Sequence, residues 1–376
     1  MSNLNVLTVS IKPLKVLMAA LLAVVVMACG GGGGGLDTSG ANLTVLLVNE
    51  GSGIDDRSFN AAAWRGITSF FGDTPENTTY RGRFYNDLFS STADERMPNV
   101  RLASEQGVDL IIATGFTFAE PVYVVSADFP NQRYLIIDSF VDRANVASAL
   151  FAEHEGSFLV GAAAALKAIE DGIVNPSFGF IGGMAGPVIT RFQVGFVQGV
   201  RSVLPNAEIH EFYANAWGAP QLAMTQAQQW YNSGVYAIFT AAGGTGMGAI
   251  VQAREARVAG QNVWVLGVDS DQHEDGIYNN AGNSAVLTSM IKKVETPVLY
   301  TLNRLRHTEF QGGLTVYDLA MDGVDIARSN PALGPAILAQ IDTMRAQIIG
   351  GQIQVISTVA QAQALGLLGA NTAARD

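Results

Sequence analysis

Leu43-Thr44-Val45-Leu46-Leu47-Val48-Asn49-Glu50-Gly51-Ser52-Gly53-Ile54-Asp55-Asp56-Arg57-Ser58-Phe59-Asn60 passes from a strand through a glycine turn into a helix. Leu43 to Val48 is apolar on both faces, as a strand buried between two layers of helices must be, and that is the condition of a parallel sheet. Gly51 and Gly53 allow a tight turn, and Asp56 or Ser58 can cap the amphipathic helix Asn60 to Phe71 that follows. Carboxylates, an amide and an aromatic at a strand end have the composition of a recognition loop. A capped turn with Phe59 packed into the core accounts for the same residues.

The pattern recurs along the chain. Strands are expected at Leu110 to Ala113, Tyr134 to Ile137, Ser177 to Ile181, Ala237 to Thr240 and Val263 to Val268, each ending in or next to Gly, Asp, Asn or Thr. Such endings suit the carboxyl edge of an open α/β sheet, where ligands bind. Amphipathic stretches at Glu155 to Ile169, Arg191 to Leu204 and Ala223 to Ser233 supply helices between them, and Ala149 to Leu166 separates two similar halves. An α/β protein with two doubly wound lobes follows.

The amino terminus has a different character. Lys12 and Lys15 precede an unbroken apolar run, Val16 to Met27, and the only cysteine, Cys29, follows it directly ahead of Gly30 to Gly35. The run is shorter than the roughly 20 residues needed to span a bilayer and fits an export signal. Val26-Met27-Ala28-Cys29 resembles the bacterial lipobox, so Cys29 is the expected lipidation site, and two thiol-linked chains plus one on the amine suffice for stable anchoring. Gly30 to Gly40 then reads as a flexible tether. The net charge of -11 argues against a nucleic-acid-binding surface and favours solubility.

Gly53-Ile54-Asp55-Asp56-Arg57-Ser58-Phe59-Asn60 is similar to the GIDDKSFN segment of the basic membrane protein family, the substrate-binding lipoproteins that include bacterial purine nucleoside receptors. Further similarities follow in the family's order. They lie at Phe129-Pro130 to Ile137-Asp138, Asn145 to Ala164, Gly179 to Gly183, Ala241 to Gly246, Gly267 to Gln272 and Leu287 to Lys292. The resemblance covers Asn42 to about Val355. It implies the type I periplasmic binding protein fold, two α/β lobes joined by crossovers with a ligand cleft between them. The expected division is a signal peptide at 1–28, the lipidated Cys29 and tether at 29–41, an N-terminal lobe of 42–148 with about 273–312, a C-terminal lobe of 149–272 with about 313–360, and a tail at 361–376.

The resemblance also implies roles. Phe59 matches the aromatic that stacks on the base in nucleoside-binding members, with Asn60 beside it at the cleft wall. Glu50 holds a position usually occupied by Asp, one methylene shorter, which leaves the ligand's identity open, and Asp56 shares the same loop. Asp138 ends a first-lobe strand as the family's aspartate does, either to bind ligand or to cap the next turn. Gly243 and Gly244 lie where backbone amides approach a ligand closely. Asp269 matches the aspartate that accepts from ribose hydroxyls. Lys292 is the cation expected near the ribose or Asp269, unless it is a solvated helix lysine. Trp217 is preferred over Phe239 as a second stacking aromatic. The segment His273 to Ser284 is longer than expected and alters the rim near Asp269.

The function implied is that of a non-enzymatic solute-binding protein of an ABC importer. It would be monomeric, anchored by lipid to a membrane outside the cytoplasm, and without a cofactor or metal. Guanosine, inosine or adenosine is the expected ligand, and an ABC permease with its ATPase the expected partner. An extracytoplasmic sensor of the same fold is the alternative, and a nucleoside-acting hydrolase a weaker one. Gly244-Thr245-Gly246-Met247-Gly248-Ala249 imitates a dinucleotide-binding fingerprint, but it lies in mid-chain rather than on the first strand. His154, His210, His273 and His307 show no metal-ligand spacing and adjoin no Gly-x-Ser-x-Gly elbow.

Overall fold

The computed structural model describes residues 43–307 and 309–369. Cys29, the apolar run before it and the glycine tether lie outside the described residues.

Two six-stranded sheets share one strand order. The first runs β11 (Gly313–Tyr317), β5 (Val146–Phe151), β4 (Tyr134–Ile137), β3 (Leu110–Thr114), β1 (Val45–Glu50), β2 (Tyr85–Ser90), with every pair parallel. The second runs β12 (Val324–Ile326), β10 (Val286–Lys292), β9 (Trp264–Asp269), β8 (Val235–Ala241), β6 (Ser177–Gly182), β7 (Glu208–Tyr213). Only its β12 edge is antiparallel. The central strands β1, β3, β8 and β9 are buried along their whole length, which is why they read as continuous apolar runs.

Helices α1 (Phe59–Phe71), α2 (Arg96–Glu105), α3 (Ala119–Asp128) and α8 (Glu295–Arg306) cover the first sheet, with α1 packed on α8. The second lobe carries α4 (Glu153–Glu170), α5 (Pro187–Val203), α6 (Pro220–Asn232), α7 (Met247–Val258), α9 (Gly334–Ile349) and α10 (Val359–Ala364). Contact between α4 and α5 is close because small residues line it. A Cβ on Gly199 would lie 2.0 Å from the Phe158 carbonyl oxygen, and one on Gly195 2.2 Å from that of His154. Among the described residues no helix is long and apolar enough to cross a membrane.

The chain changes lobes between β5 and α4, between β10 and α8, and between β11 and β12. This corrects the lobe boundaries expected from sequence. Residues 286–292 pair with β9 in the second sheet rather than joining the first lobe, and 313–317 pair with β5 in the first sheet rather than joining the second. Ala149 to Phe151 likewise complete β5. A short apolar strand carries no mark of which of two equivalent sheet edges it will extend; the packing of the helices around it decides. The expected tail is not free of the second lobe either. Ala362 packs with Val194, Ile356 and Val359, and Arg201 donates to the Leu367 carbonyl at 2.7 Å.

Candidate ligand-binding site

The carboxyl ends of both sheets face one cleft, whose empty space of about 620 Å³ includes its mouth open to solvent. Glu50, Asp56, Phe59, Asn60, Asp138, Trp217, Gly243, Gly244, Asp269 and Lys292 all line it. So do Ser52, Thr114, Phe116, Thr117 and Phe192.

The turn after β1 is organised by Asp56. Its carboxylate accepts from the backbone N–H groups of Ser58, Asn60 and Ala61 at 2.8 to 3.0 Å, so it caps α1 while burial pushes its pKa up against those bonds. Ser58 makes no side-chain cap. Asn60 is tied on both sides of its amide: Nδ2 donates to the Glu50 carbonyl at 3.0 Å, and Oδ1 accepts from Thr114 at 2.7 Å. One N–H and one lone pair remain for anything else. Phe59 is half-buried and faces the cleft, with the Lys292 ammonium 5.0 Å from its ring centroid.

Asp138 and Asp269 occupy equivalent places, immediately after β4 and at the end of β9, third in each sheet's order. Both adopt the left-handed region, φ 70° and 64°, which Asp tolerates better than most residues. Lys292, at the end of β10 rather than on a helix, is 1 % exposed. Its ammonium donates to both oxygens of Asp138 at 2.5 and 2.7 Å and pairs with Glu153 at 2.9 Å; Glu153 in turn pairs with Arg191 at 2.6 Å. Burial raises the Glu153 carboxyl, but Arg191 and Lys292 outweigh it and hold its pKa down at about 2. Asp138 moves the other way, because burial outweighs its bond to Lys292. Asp269 is raised to about 7 by burial, against the opposing pull of Lys292 and of a 2.5 Å hydrogen bond from Ser58.

Trp217 comes into the cleft from the loop after β7, packed so closely on Gly183 that a Cβ there would sit 2.2 Å from its ring. Phe116, from the turn after β3, meets it edge-on at 6.3 Å and 72°. Phe239 is fully buried among Phe180, Phe192 and Phe196 and belongs to the core. Gly244 has a use other than close approach to a ligand: a Cβ would stand 2.2 Å from Ser52 Oγ of the opposite lobe. The lobes also meet where Arg65 donates to Ser270 at 2.9 Å and where Arg57 pairs with Asp275. The segment 273–284 folds back on itself, with Ser284 Oγ donating to the His273 carbonyl and Ile277 bridged to Ser284, and so holds Asp275 at the rim.

Sequence reasoning missed Phe116, Thr117, Phe192, Arg96, Glu153 and Arg191. Gly115-Phe116-Thr117 places a glycine and an aromatic directly after a strand, as the loop that carries Phe59 does. Glu153 and Arg191 carry no such signal, because only tertiary packing brings them to Lys292.

Two parallel-sheet lobes sharing a cleft at their strand ends, with an aromatic slot beside buried carboxylates, define a solute-binding protein. The chain matches, over residues 43–358, the family model described as ABC transporter substrate-binding protein PnrA-like, and it belongs to that family. It is 34% identical over 331 residues to the ABC transporter nucleoside-binding protein BmpA of Lactococcus lactis subsp. cremoris, covering 85% of this chain and 92% of that one. A CD4+ T-cell-stimulating antigen of Listeria innocua is 35% identical over 328 residues, covering 85% and 90%. An ABC transporter solute-binding protein from Aeropyrum pernix K1 shares the fold at a TM-score of 0.74 and 23% identity, covering 86% of this chain and 98% of that one.

Proposed function

We propose that this substrate-binding protein captures a purine nucleoside in its cleft and delivers it to an ABC permease from a lipid anchor on Cys29, outside the cytoplasm. The observation that carries this reading is the division of the cleft. Phe59, Phe116 and Trp217 offer flat apolar walls, while Asp138, Asp269 and Lys292 gather polar groups at one end. A base stacked on aromatic rings gains about 1–3 kcal/mol. Vicinal ribose hydroxyls suit a buried carboxylate, because hydrogen bonds to an ionised acceptor are the stronger kind. Ligand held by residues of both lobes stabilises the closed form, since the open form lacks half of these contacts. The nucleoside-binding BmpA relative supports the same reading.

A thermal-shift screen of the purified protein against nucleosides, free bases, pentoses and amino acids tests it. Purine nucleosides should raise the melting temperature most. Stabilisation by sugars or amino acids alone would overturn the assignment.

A further inference from the structure

Lys292 stands beside one aspartate and binds another. In the second sheet β9 and β10 are parallel neighbours in which Ile291 pairs with Asp269, so Lys292 is the next residue after the partner of Asp269. Both side chains line the same cavity. The ammonium nevertheless donates to both oxygens of Asp138, which belongs to the other lobe, and Asp269 is left with the Ser58 hydroxyl. Adjacent strands lie about 4.8 Å apart, a span that the flexible four-carbon stem of a lysine covers, so proximity alone does not explain the choice.

Glu153 supplies the difference. It opens α4, just after the chain crosses from β5 into the second lobe, and Lys292 ends β10 just before the chain crosses back to α8. Glu153 is fully buried and divides its carboxylate between two cations: Oε1 lies 2.9 Å from the Lys292 ammonium, and Oε2 accepts from Arg191 Nε at 2.6 Å. Arg191, on α5, pairs with no other carboxylate among the described residues, and its Nη2 is buried without a partner. Burial pushes the Glu153 carboxyl up, and the Arg191 charge, ahead of that of Lys292, reverses the push and keeps the carboxyl ionised. The rings of Phe59, Phe151 and Phe192, centred 5.0 to 5.6 Å from the ammonium, surround it with apolar surface, so water screens these attractions little. Neither Glu153 nor Arg191 lines the cleft.

We propose that Glu153 and Arg191 are positioning residues: they hold the Lys292 ammonium toward Asp138 and away from Asp269, and so reserve Asp269 as an open acceptor in the cleft. The charge of Lys292 is answered by Glu153 from its own lobe and by Asp138 from the other, and Asp269 keeps lone pairs for donors that enter the cleft. Without the Glu153–Arg191 pair the ammonium turns to the acid beside it in its own sheet, which stays within reach however the lobes are set.

NMR of the ligand-free protein isotopically labelled at its aspartate carboxyls, with Asp269→Asn to assign the signal, tests the proposal. Glu153→Gln alone leaves Arg191 unpaired in the interior, so the variant that combines Glu153→Gln with Arg191→Met, which removes one charge of each sign, carries the test. Asp269 should titrate at about 7 in the wild type and about 1–3 units lower in the double variant, where Lys292 has moved onto it. Arg191 uses only one bond to Glu153, so Arg191→Lys should titrate as the wild type does. A merely structural role for the pair would lower the unfolding midpoint of the double variant and leave the Asp269 titration where it was, and that result would overturn the inference. Guanosine calorimetry reads the consequence for binding, which rests on the nucleoside reading above: affinity should fall by about tenfold in the double variant. Guanosine bound equally well by wild type and double variant would also overturn the inference. Failure of guanosine to bind the wild type would overturn the nucleoside reading instead and leave the titration to decide this one.

Discussion

The two lobes have the same strand order, yet their corresponding strand ends present different chemistry. In the first lobe β1 ends in Glu50, β3 leads into Phe116 and Thr117, and β5 ends in Phe151. At the matching places in the second lobe β6 ends in Gly182, β8 leads into Ala242 and Gly243, and β10 ends in Lys292. The first lobe thus supplies reaching side chains, and the second supplies small residues, one aromatic on a loop and one buried cation. Only the third strand of each order agrees, with Asp138 against Asp269, and even these part company electrostatically. Asp138 takes both of its bonds from Lys292, whereas Asp269 has a serine hydroxyl and sits near neutrality. Duplicated architecture sets where the groups stand; asymmetric side chains give the cleft a direction.

Removing the cation breaks this asymmetry most severely. Lys292→Met leaves Asp138 and Glu153 facing each other in the interior with Arg191 as the remaining cation near Glu153. Loss of one partner from a buried ionic group costs about 3–5 kcal/mol, and the urea unfolding midpoint should fall accordingly. A change below about 1 kcal/mol would mean the network is already solvated.

Next comes the aromatic slot. Phe59→Ala should weaken nucleoside binding by about tenfold or more, equal to at least about 1.4 kcal/mol, with the fold intact. Trp217→Ala in the opposite lobe should match it if the base is held from both sides. Unequal losses measured by calorimetry would place the base against one lobe only.

The contrast between the two aspartates predicts a pH dependence. The folded pKa of Asp269, raised to about 7, lies above the ordinary 3.8, so the folded state holds the proton more tightly. Unliganded stability should therefore decline as pH rises from about 4 to about 7, and Asp269→Asn should reduce that slope, leaving the part that Asp138 and Asp56, also raised by burial, contribute. Hydroxyl donors from a bound ribose favour the ionised carboxylate, so binding near pH 7 should release a proton. Calorimetry in two buffers of different ionisation enthalpy reads this directly, and identical apparent enthalpies would count against a ribose contact at Asp269.

The smallest effect belongs to the rim. Arg57 pairs with Asp275 across the mouth, but its side chain is 67% exposed. Exposed pairs contribute less than about 1 kcal/mol, so Arg57→Ala should slow closure little and change affinity by about threefold at most, an effect that salt should reduce. A larger loss would make the 273–284 segment a functional strap rather than a trimmed edge.

Much of the fold was legible because parallel strands buried on both faces leave unbroken apolar runs. Leu110 to Ala113, Tyr134 to Ile137 and Val263 to Val268 stood out on that ground and match β3, β4 and, offset by one residue, β9. Edge strands were harder to read: β7, of which only Glu211 to Tyr213 looked strand-like, is exposed or half-buried at every position, and β11 at all but Tyr317. In the site, Glu50, Phe59, Asp138 and Asp269 were named through the family resemblance, because loop composition and strand ends alone left recognition and a capped turn both open. Lys292 was named as a cation near Asp269 with a solvated helix lysine as the alternative, since an isolated lysine after Ser289-Met290-Ile291 does not reveal that it ends a buried strand.

By itself the sequence determined the α/β class, the two-lobed plan and the loops that line the cleft, because hydrophobic periodicity and turn chemistry are local properties of the chain. Tertiary structure alone decided which sheet receives β10 and which receives β11, and that Lys292 joins Asp138 to Glu153. The β11 pairing and the Lys292 network depend on contacts between segments more than a hundred residues apart, such as the 154 between Asp138 and Lys292, where burial turns ordinary surface charges into a single network.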